Sequence, residues 1–252
     1  MILCGGIATE RTVNRWLIIT GILAAVFAAA AFLFQGKSLG SAKESDVYFT
    51  RCEYISIDLL KTDVTIIPWE EDKIRFTYRS DVPLSVEKGD NSLTITESND
   101  FVISLFAKEA VDYGMYLYLP REYYRDILIY TVSGDVILGD VDSDKITVVT
   151  NSGRITSENT RSMCSLTTGS GDILLDFYSV IPGSSVQSRT GNAEISFPKG
   201  SSVALDYETE SGELKTDVIS GSYPGSYMYS FNGGARLIHA ALETGILTVT
   251  EK

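Results

Sequence analysis

A single histidine, His239, stands in the 252-residue chain. Any Ser-His-Asp or Cys-His nucleophile, and any imidazole-rich metal site, would have to be built on it. It lies in Leu237-Ile238-His239-Ala240, far in sequence from any primed nucleophile, and reads as an ordinary strand histidine. Cys4, Cys52 and Cys164 are too few and too scattered for a metal site or a disulfide framework. A Cys52–Cys164 bridge stays open, but two small buried apolar side chains are the preferred reading. Glycine-aspartate pairs invite calcium, yet calcium-binding β-rolls repeat every nine residues or so. Here the residues after the glycines are Asp135, Arg154, Asp172, Asn192 and Glu213, inconsistent in charge. Arg154 between two acids suits a stabilising charge ladder better than a cation site. Carboxylates are so abundant that a pair spaced for sugar cleavage would arise by chance. No catalytic residue, metal ligand or cofactor is assigned.

What these residues share is a rhythm. Ser133-Gly134, Ser152-Gly153, Ser170-Gly171, Thr190-Gly191 and Ser211-Gly212 are each followed by a strand-like run, with glycine-to-glycine steps of 19, 18, 20 and 21 residues. A period near twenty is the mark of a stacked architecture, where each unit buries its apolar face only against its neighbours. Five residues before the glycine stand Ile129, Val148, Leu166, Val186 and Tyr207, and seven before stand Ile127, Ile146, Cys164, Ser184 and Leu205. Two after it come Val136, Ile155, Ile173, Ala193 and Leu214. Such columns predict ladders of inward side chains in coils about 4.8 Å apart. Each coil has one strand into the corner and one out of it. The glycine supplies an unusual backbone angle or a close approach, and neighbouring hydroxyl, Asp and Asn side chains can cap backbone groups.

The rhythm defines an all-β parallel β-solenoid of about five coils of ~20 residues, two strands per coil. Before it, residues 47–126 alternate apolar and polar, as in Ile55, Ile57 and Leu59, and predict a β-rich entry region. Residues 127–220 hold the regular repeats. Residues 221–252 break the spacing with Gly-Ser-Tyr-Pro-Gly-Ser-Tyr and read as a closing cap, with corners at Gly234 and Gly245 only eleven residues apart. Tyr223, Tyr227 and Tyr229 there either fold over the end of the stack or form an interaction surface.

The amino-terminal part carries an address. Residues 16–34 contain no charge, and about twenty apolar residues are what a helix needs to cross a bilayer. Trp16, Leu17, Ile18, Ile19, Ile22, Leu23, Val26, Phe27, Phe32, Leu33 and Phe34 would face lipid or its interface. Arg11 and Arg15 before the run and Lys37 and Lys43 after it leave the positive-inside bias nearly even; the large acidic β-rich remainder reads as exported, which makes residues 1–15 a cytoplasmic segment, and residues 35–46 form a flexible linker. The apolar run continues past the small residues Ala28–Ala31, which favours an uncleaved signal-anchor over a cleaved signal peptide. The rest of the chain, 47–252, is then extracytoplasmic.

The formal charge is −12, and residues 1–45 contribute +2, leaving −14 for the remainder. Such a surface repels phosphate backbones, so nucleic acid is not an expected partner.

Taken in order, Ile-Ser-Ile-Asp (55–58), Leu-Tyr-Leu-Pro (117–120), the Thr-x-Ser-Gly-Asp corners at 131–135 and 168–172, Asn-Gly-Gly (232–234) and Glu-Thr-Gly (243–245) resemble the putative-adhesin family of bacterial β-strand-repeat domains of unknown function. The resemblance covers about residues 47–250. It implies a β-solenoid on the outer face of the cell envelope, often behind one membrane anchor, and carries over no catalytic residues. The expected function is a non-enzymatic cell-envelope binding or sensing module. Its partner would be another envelope protein, a surface glycan, or itself by edge pairing. An adhesin-like surface protein is the alternative, and a glycan-acting β-helix enzyme a remote one.

Overall fold

The computed structural model describes residues 38–39, 45–79, 84–97, 114–121, 123–217, 220–222 and 224–252. The predicted membrane span, the segment before it, most of the linker and Tyr223 lie outside the described residues.

Among the described residues, alternating apolar and polar positions build two sheets of eleven strands each. In one sheet the strands Tyr54–Leu59, Ser92–Glu97, Tyr123–Thr131, Asp142–Thr150, Met163–Ser170, Ser184–Thr190, Val203–Thr209 and Arg236–Thr244 are mutually parallel. After the corner the strand passes to its counterpart in the second sheet, as Asp142–Thr150 passes to Ile155–Thr160. The inward rows from both sheets meet in one core. The three apolar columns read from the sequence all point into it: Ile129, Val148, Leu166 and Val186 are fully buried, as are Cys164 and Ser184. Both Cys52 and Cys164 are free buried thiols. Burial pushes the Cys164 thiol up to about 11, against the hydrogen bond it shares with Thr160, which makes it a poor nucleophile.

The parallel stack is longer than the five coils expected, because eight successive strands run parallel in each sheet. The entry region supplies two of these rungs. Strand Tyr54–Leu59 pairs directly with Tyr123–Thr131, and Ser92–Glu97 lies on its other side. The carboxy-terminal segment supplies another, and here the sequence expectation of a terminal cap is corrected. Arg236–Thr244 is inserted between Ser184–Thr190 and Val203–Thr209. The last rung in sequence therefore lies inside the stack.

Each end is finished by strands running the opposite way. At one end Ile74–Arg79 and Leu84–Lys88 pair antiparallel with the outer parallel strands, followed by Ser45–Phe49 and Ser38–Leu39. At the other, Ser220–Ser222 and Gly225–Phe231 do the same. The chain enters at the first end, and the two ends are about 48 Å apart for eleven strands at the usual spacing.

Candidate functional site

The corners themselves form one continuous column. A Cβ placed on Gly134 would lie 2.2 Å from the Thr62 carbonyl oxygen, on Gly153 2.0 Å from that of Gly134, and on Gly171 2.2 Å from that of Gly153. The series continues through Gly191, 2.1 Å from the Gly171 oxygen, then Gly245, 2.0 Å from the Gly191 oxygen, and Gly212, 2.8 Å from the Gly245 oxygen. Gly234 is not part of it. It sits in the turn between the reversed strand Gly225–Phe231 and Arg236–Thr244, with φ of 64°.

Polar side chains at the corners are spent on backbone groups. Thr131, Thr150 and Thr209 accept the N–H of Gly134, Gly153 and Gly212. Asp63 accepts the N–H of Asp135 at 2.7 Å, Asp135 that of Arg154 at 2.7 Å, and Asp172 that of Asn192 at 2.9 Å. The Arg154 guanidinium lies 3.8 Å from Asp172. This is a charge and hydrogen-bond ladder along the column.

Where the column begins, the buried carboxylate of Glu97 stands in for a missing rung. It accepts the Leu60 N–H at 2.5 Å and the Lys61 N–H at 3.3 Å, and the Thr62 hydroxyl donates to it. Burial pushes neighbouring Asp58 up to about 6, with the Glu97 charge adding to it.

Register also brings Ser185, His239 and Asp206 side by side on three adjacent strands. That is the residue set of a hydrolytic triad, invisible in the sequence because the rungs are out of order. His239 Nδ1 lies 3.1 Å from Asp206 Oδ2. The Ser185 hydroxyl, however, donates to Ser165 Oγ at 3.2 Å, whereas a nucleophile would have to give that proton to the imidazole.

The tyrosines of the carboxy-terminal insertion lie at the end of the stack. Tyr227, Tyr229 and Phe231 pair with inward-facing Tyr207, Leu205 and Val203. Phe231 is buried edge-on to Phe197 at 5.2 Å, and Tyr229 is edge-on to Phe231 at 4.7 Å. These rings cover the core, while Tyr227 remains 40% exposed.

An arrangement the sequence did not signal lies on the outer face of the second sheet, at the end where the chain enters. Tyr48, Arg75, Tyr118 and Ile67 form one cross-strand row, with Tyr116 and Trp69 beside it on the same face. Tyr48 is 54% and Tyr116 44% exposed. The Trp69 and Tyr118 rings are 5.6 Å apart, and the Arg75 guanidinium carbon lies 4.8 Å from the Tyr118 ring centroid. Trp69 is held by its indole N–H, which donates to the Lys73 carbonyl at 2.8 Å. Further along the same sheet, the row that contains Tyr116 and Ile137 continues as Thr156, Leu174, Glu194, Thr248 and Lys215. The aromatic cluster is thus confined to one end.

At its border, on the edge opposite the glycine column, Pro120, Arg121, Asp140, Val141, Asp142 and Arg161 line a cleft of about 150 Å³. Arg121 Nε is 2.8 Å from Glu70 and its Nη1 3.5 Å from Asp140. Arg161 reaches Asp140 at 3.7 Å and Asp142 at 3.6 Å, and lies 4.0 Å over the Tyr178 ring. Asp140 Oδ1 is buried and paired with Arg161 at 3.7 Å, and Asp142 Oδ1 is buried.

The fold and its corner column define a two-sheeted parallel β-solenoid of the strand-repeat kind. Residues 52–163 match the family model described as Toastrack DUF4097. A solved putative cell adhesion protein from Clostridium sporogenes is similar at 14% identity, covering 83% of this chain and all of that one, with a TM-score of 0.47. A putative adhesin from Bacteroides fragilis is similar at 11% identity, covering 84% and 98%, with a TM-score of 0.37. A putative lipid binding protein from Parabacteroides distasonis is similar at 12% identity over the same shares, with a TM-score of 0.30. No curated protein matches the chain.

Proposed function

We propose that the chain is a non-enzymatic binding or sensing module of the cell envelope, anchored by residues 16–34 with the solenoid outside the cytoplasm. The observation that carries this reading is the cross-strand group on one external face of exposed Tyr48 and Tyr116 with half-buried Tyr118 and Trp69, beside the cleft of Arg121, Asp140 and Arg161. Core packing does not call for Tyr48, Tyr116, Tyr118 or Trp69 on that face, since Met115, Leu117 and Leu119 of the same strand already fill the interior. The uncharged stretch 16–34 supports the anchor. Among the described residues, no helix is long and apolar enough to cross a membrane, so the anchor rests on that stretch.

Protease treatment of intact cells tests the location. Digestion of the β-domain with survival of a short membrane-bound fragment is the expected result, and full protection in intact cells overturns it. Cross-linking from position 116 on the same cells tests the binding role. Capture of an envelope component is expected. Capture only of external matrix would replace sensing by adhesion, and no capture at all would remove the binding role.

A further inference from the structure

We infer that the last strand of the first sheet, Gly225–Phe231, is the edge through which two copies of this chain pair, antiparallel about a two-fold axis at Met228. The inference concerns the far end of the stack and does not rest on the binding role proposed above. Three observations converge on a second copy as the occupant. First, this strand ends its sheet, and among the described residues no strand pairs with its outer side. Alternate residues of such a strand turn their N–H and C=O groups away from the sheet, and another strand is what completes them. It is seven residues long, holds unbroken register with Val203–Thr209, and contains neither proline nor charge. The other three sheet edges are short or charged: Ser38–Leu39 and Ser220–Ser222 have two and three residues, and Ser45–Phe49 carries Asp46.

Second, the strand is a palindrome: Ser226-Tyr227-Met228-Tyr229-Ser230 reads the same in both directions. An antiparallel pair centred on Met228 sets Ser226 opposite Ser230, Tyr227 opposite Tyr229, and Met228 opposite its own copy. Hydroxyl pairs and aromatic pairs are favourable cross-strand neighbours. Gly225 falls opposite Phe231, a pairing in which the ring shields the glycine. A two-fold interface must be self-complementary in this way, whereas the edge for a foreign strand need not be. The axis stands normal to the sheet and preserves its faces. Tyr227, 40% exposed where the core ends, then meets the second copy's Tyr229, and Met228, 64% exposed, meets its counterpart on the outer face. Third, residues 218–235 contain no charged residue in a chain of formal charge −12. The nearest acids across the pairing, Asp206 and Glu208, lie one strand further in. Two acidic molecules therefore meet where their repulsion is smallest.

The test uses the full chain in detergent. Sedimentation up to about 100 μM, chosen because a one-strand interface belongs to the weak class, should show a monomer–dimer equilibrium. Met228→Lys places like charges opposite each other at the axis and should weaken it at least about tenfold. Met228→Leu, close in volume, should stay within about twofold. Cysteine cross-linking in a Cys4→Ser background reads the register, since Cys52 and Cys164 are buried. Met228→Cys should form a disulfide-linked dimer under mild oxidation, because facing Cα atoms lie about 5 Å apart. Ser226→Cys alone and Ser230→Cys alone should not, each standing about 14 Å from its own copy. A mixture of those two variants should cross-link. Thermal unfolding checks the fold of each variant.

A monomer throughout that range, with no cross-link at position 228, overturns the inference. So does a dimer that Met228→Lys leaves unchanged, which would be held elsewhere in the chain. Cross-linking of Ser226→Cys alone as readily as Met228→Cys overturns the register and the two-fold pair with it. Capture of a different protein from position 228 on intact cells, with the purified chain monomeric, assigns the edge to a foreign strand and also overturns self-pairing.

Discussion

The two edges of the solenoid use glycine for different physical reasons. On the corner edge, Gly134, Gly153, Gly171 and Gly191 have ordinary negative φ values, since none is among the positive-φ glycines. Glycine is required there because the next rung's carbonyl occupies the place of a Cβ, and at Gly245 a φ of 116° adds to that close approach. On the opposite edge, Gly200 has φ of 83° with nothing within 4 Å of a built Cβ. It is chosen for its backbone angle, in open space. An edge whose atoms lie against the rung above and below has no freedom to vary and carries the architecture. The loop edge is constrained in this way at Gly139, where a Cβ would lie 2.9 Å from the Ile66 carbonyl oxygen, but not at Gly200, and it carries the cleft of Arg121, Asp140 and Arg161.

The sharpest attempt to break this comparison is Gly153→Ala. The added carbon has to displace the Gly134 backbone from 2.0 Å, and the shift propagates along the column. A loss of about 4 kcal/mol or more is expected, measured by denaturant unfolding of the full chain in detergent. A loss under ~1 kcal/mol would show that the corners are not in contact as described. Next comes Glu97→Ala, which leaves the Leu60 and Lys61 N–H groups without the carboxylate that starts the column. A cost of about 3 kcal/mol is expected for a buried, charge-assisted cap. Smaller still is Gly200→Ala on the loop edge, where only the positive φ resists, at about 1 kcal/mol. If Gly200→Ala cost as much as Gly153→Ala, the distinction between the edges would fail.

A further test of the column's start concerns pH. The folded-state pKa of Asp58 is about 6, raised from 3.8 by burial and then by Glu97. A carboxyl raised on folding favours the native state most below its unfolded value. That advantage is lost as pH rises from about 4 through about 6. Asp58→Asn should therefore flatten the melting-temperature profile across pH 4–6 and melt higher than wild type at pH 7. Superimposable profiles for the two proteins would show that Asp58 is not held in this way.

Much of the rung design was legible in the chain. The inward columns and corner glycines follow from spacing within about ten residues, and side-chain alternation along a strand has a period of two whatever lies elsewhere. The sequence also contained the hydroxyl three residues before Gly134, Gly153 and Gly212 and the acid after Gly134 and Gly171, whose capping roles are local chemistry. It is for the same reason that Gly245, eleven residues after Gly234, looked irregular. Its rung fits the column, but between two rungs that precede it in sequence.

By itself, then, the sequence determined the all-β solenoid, its period and its buried faces, because these depend on short-range pattern and on burying apolar side chains. The order of the rungs was decided only by tertiary structure, since each strand can pair with any rung of matching shape and Arg236–Thr244 settles where both its edges are covered. The aromatic site was likewise decided there. Tyr48, Trp69, Arg75 and Tyr118 come from four separate strands, and only cross-strand register, a long-range property, sets them on one face.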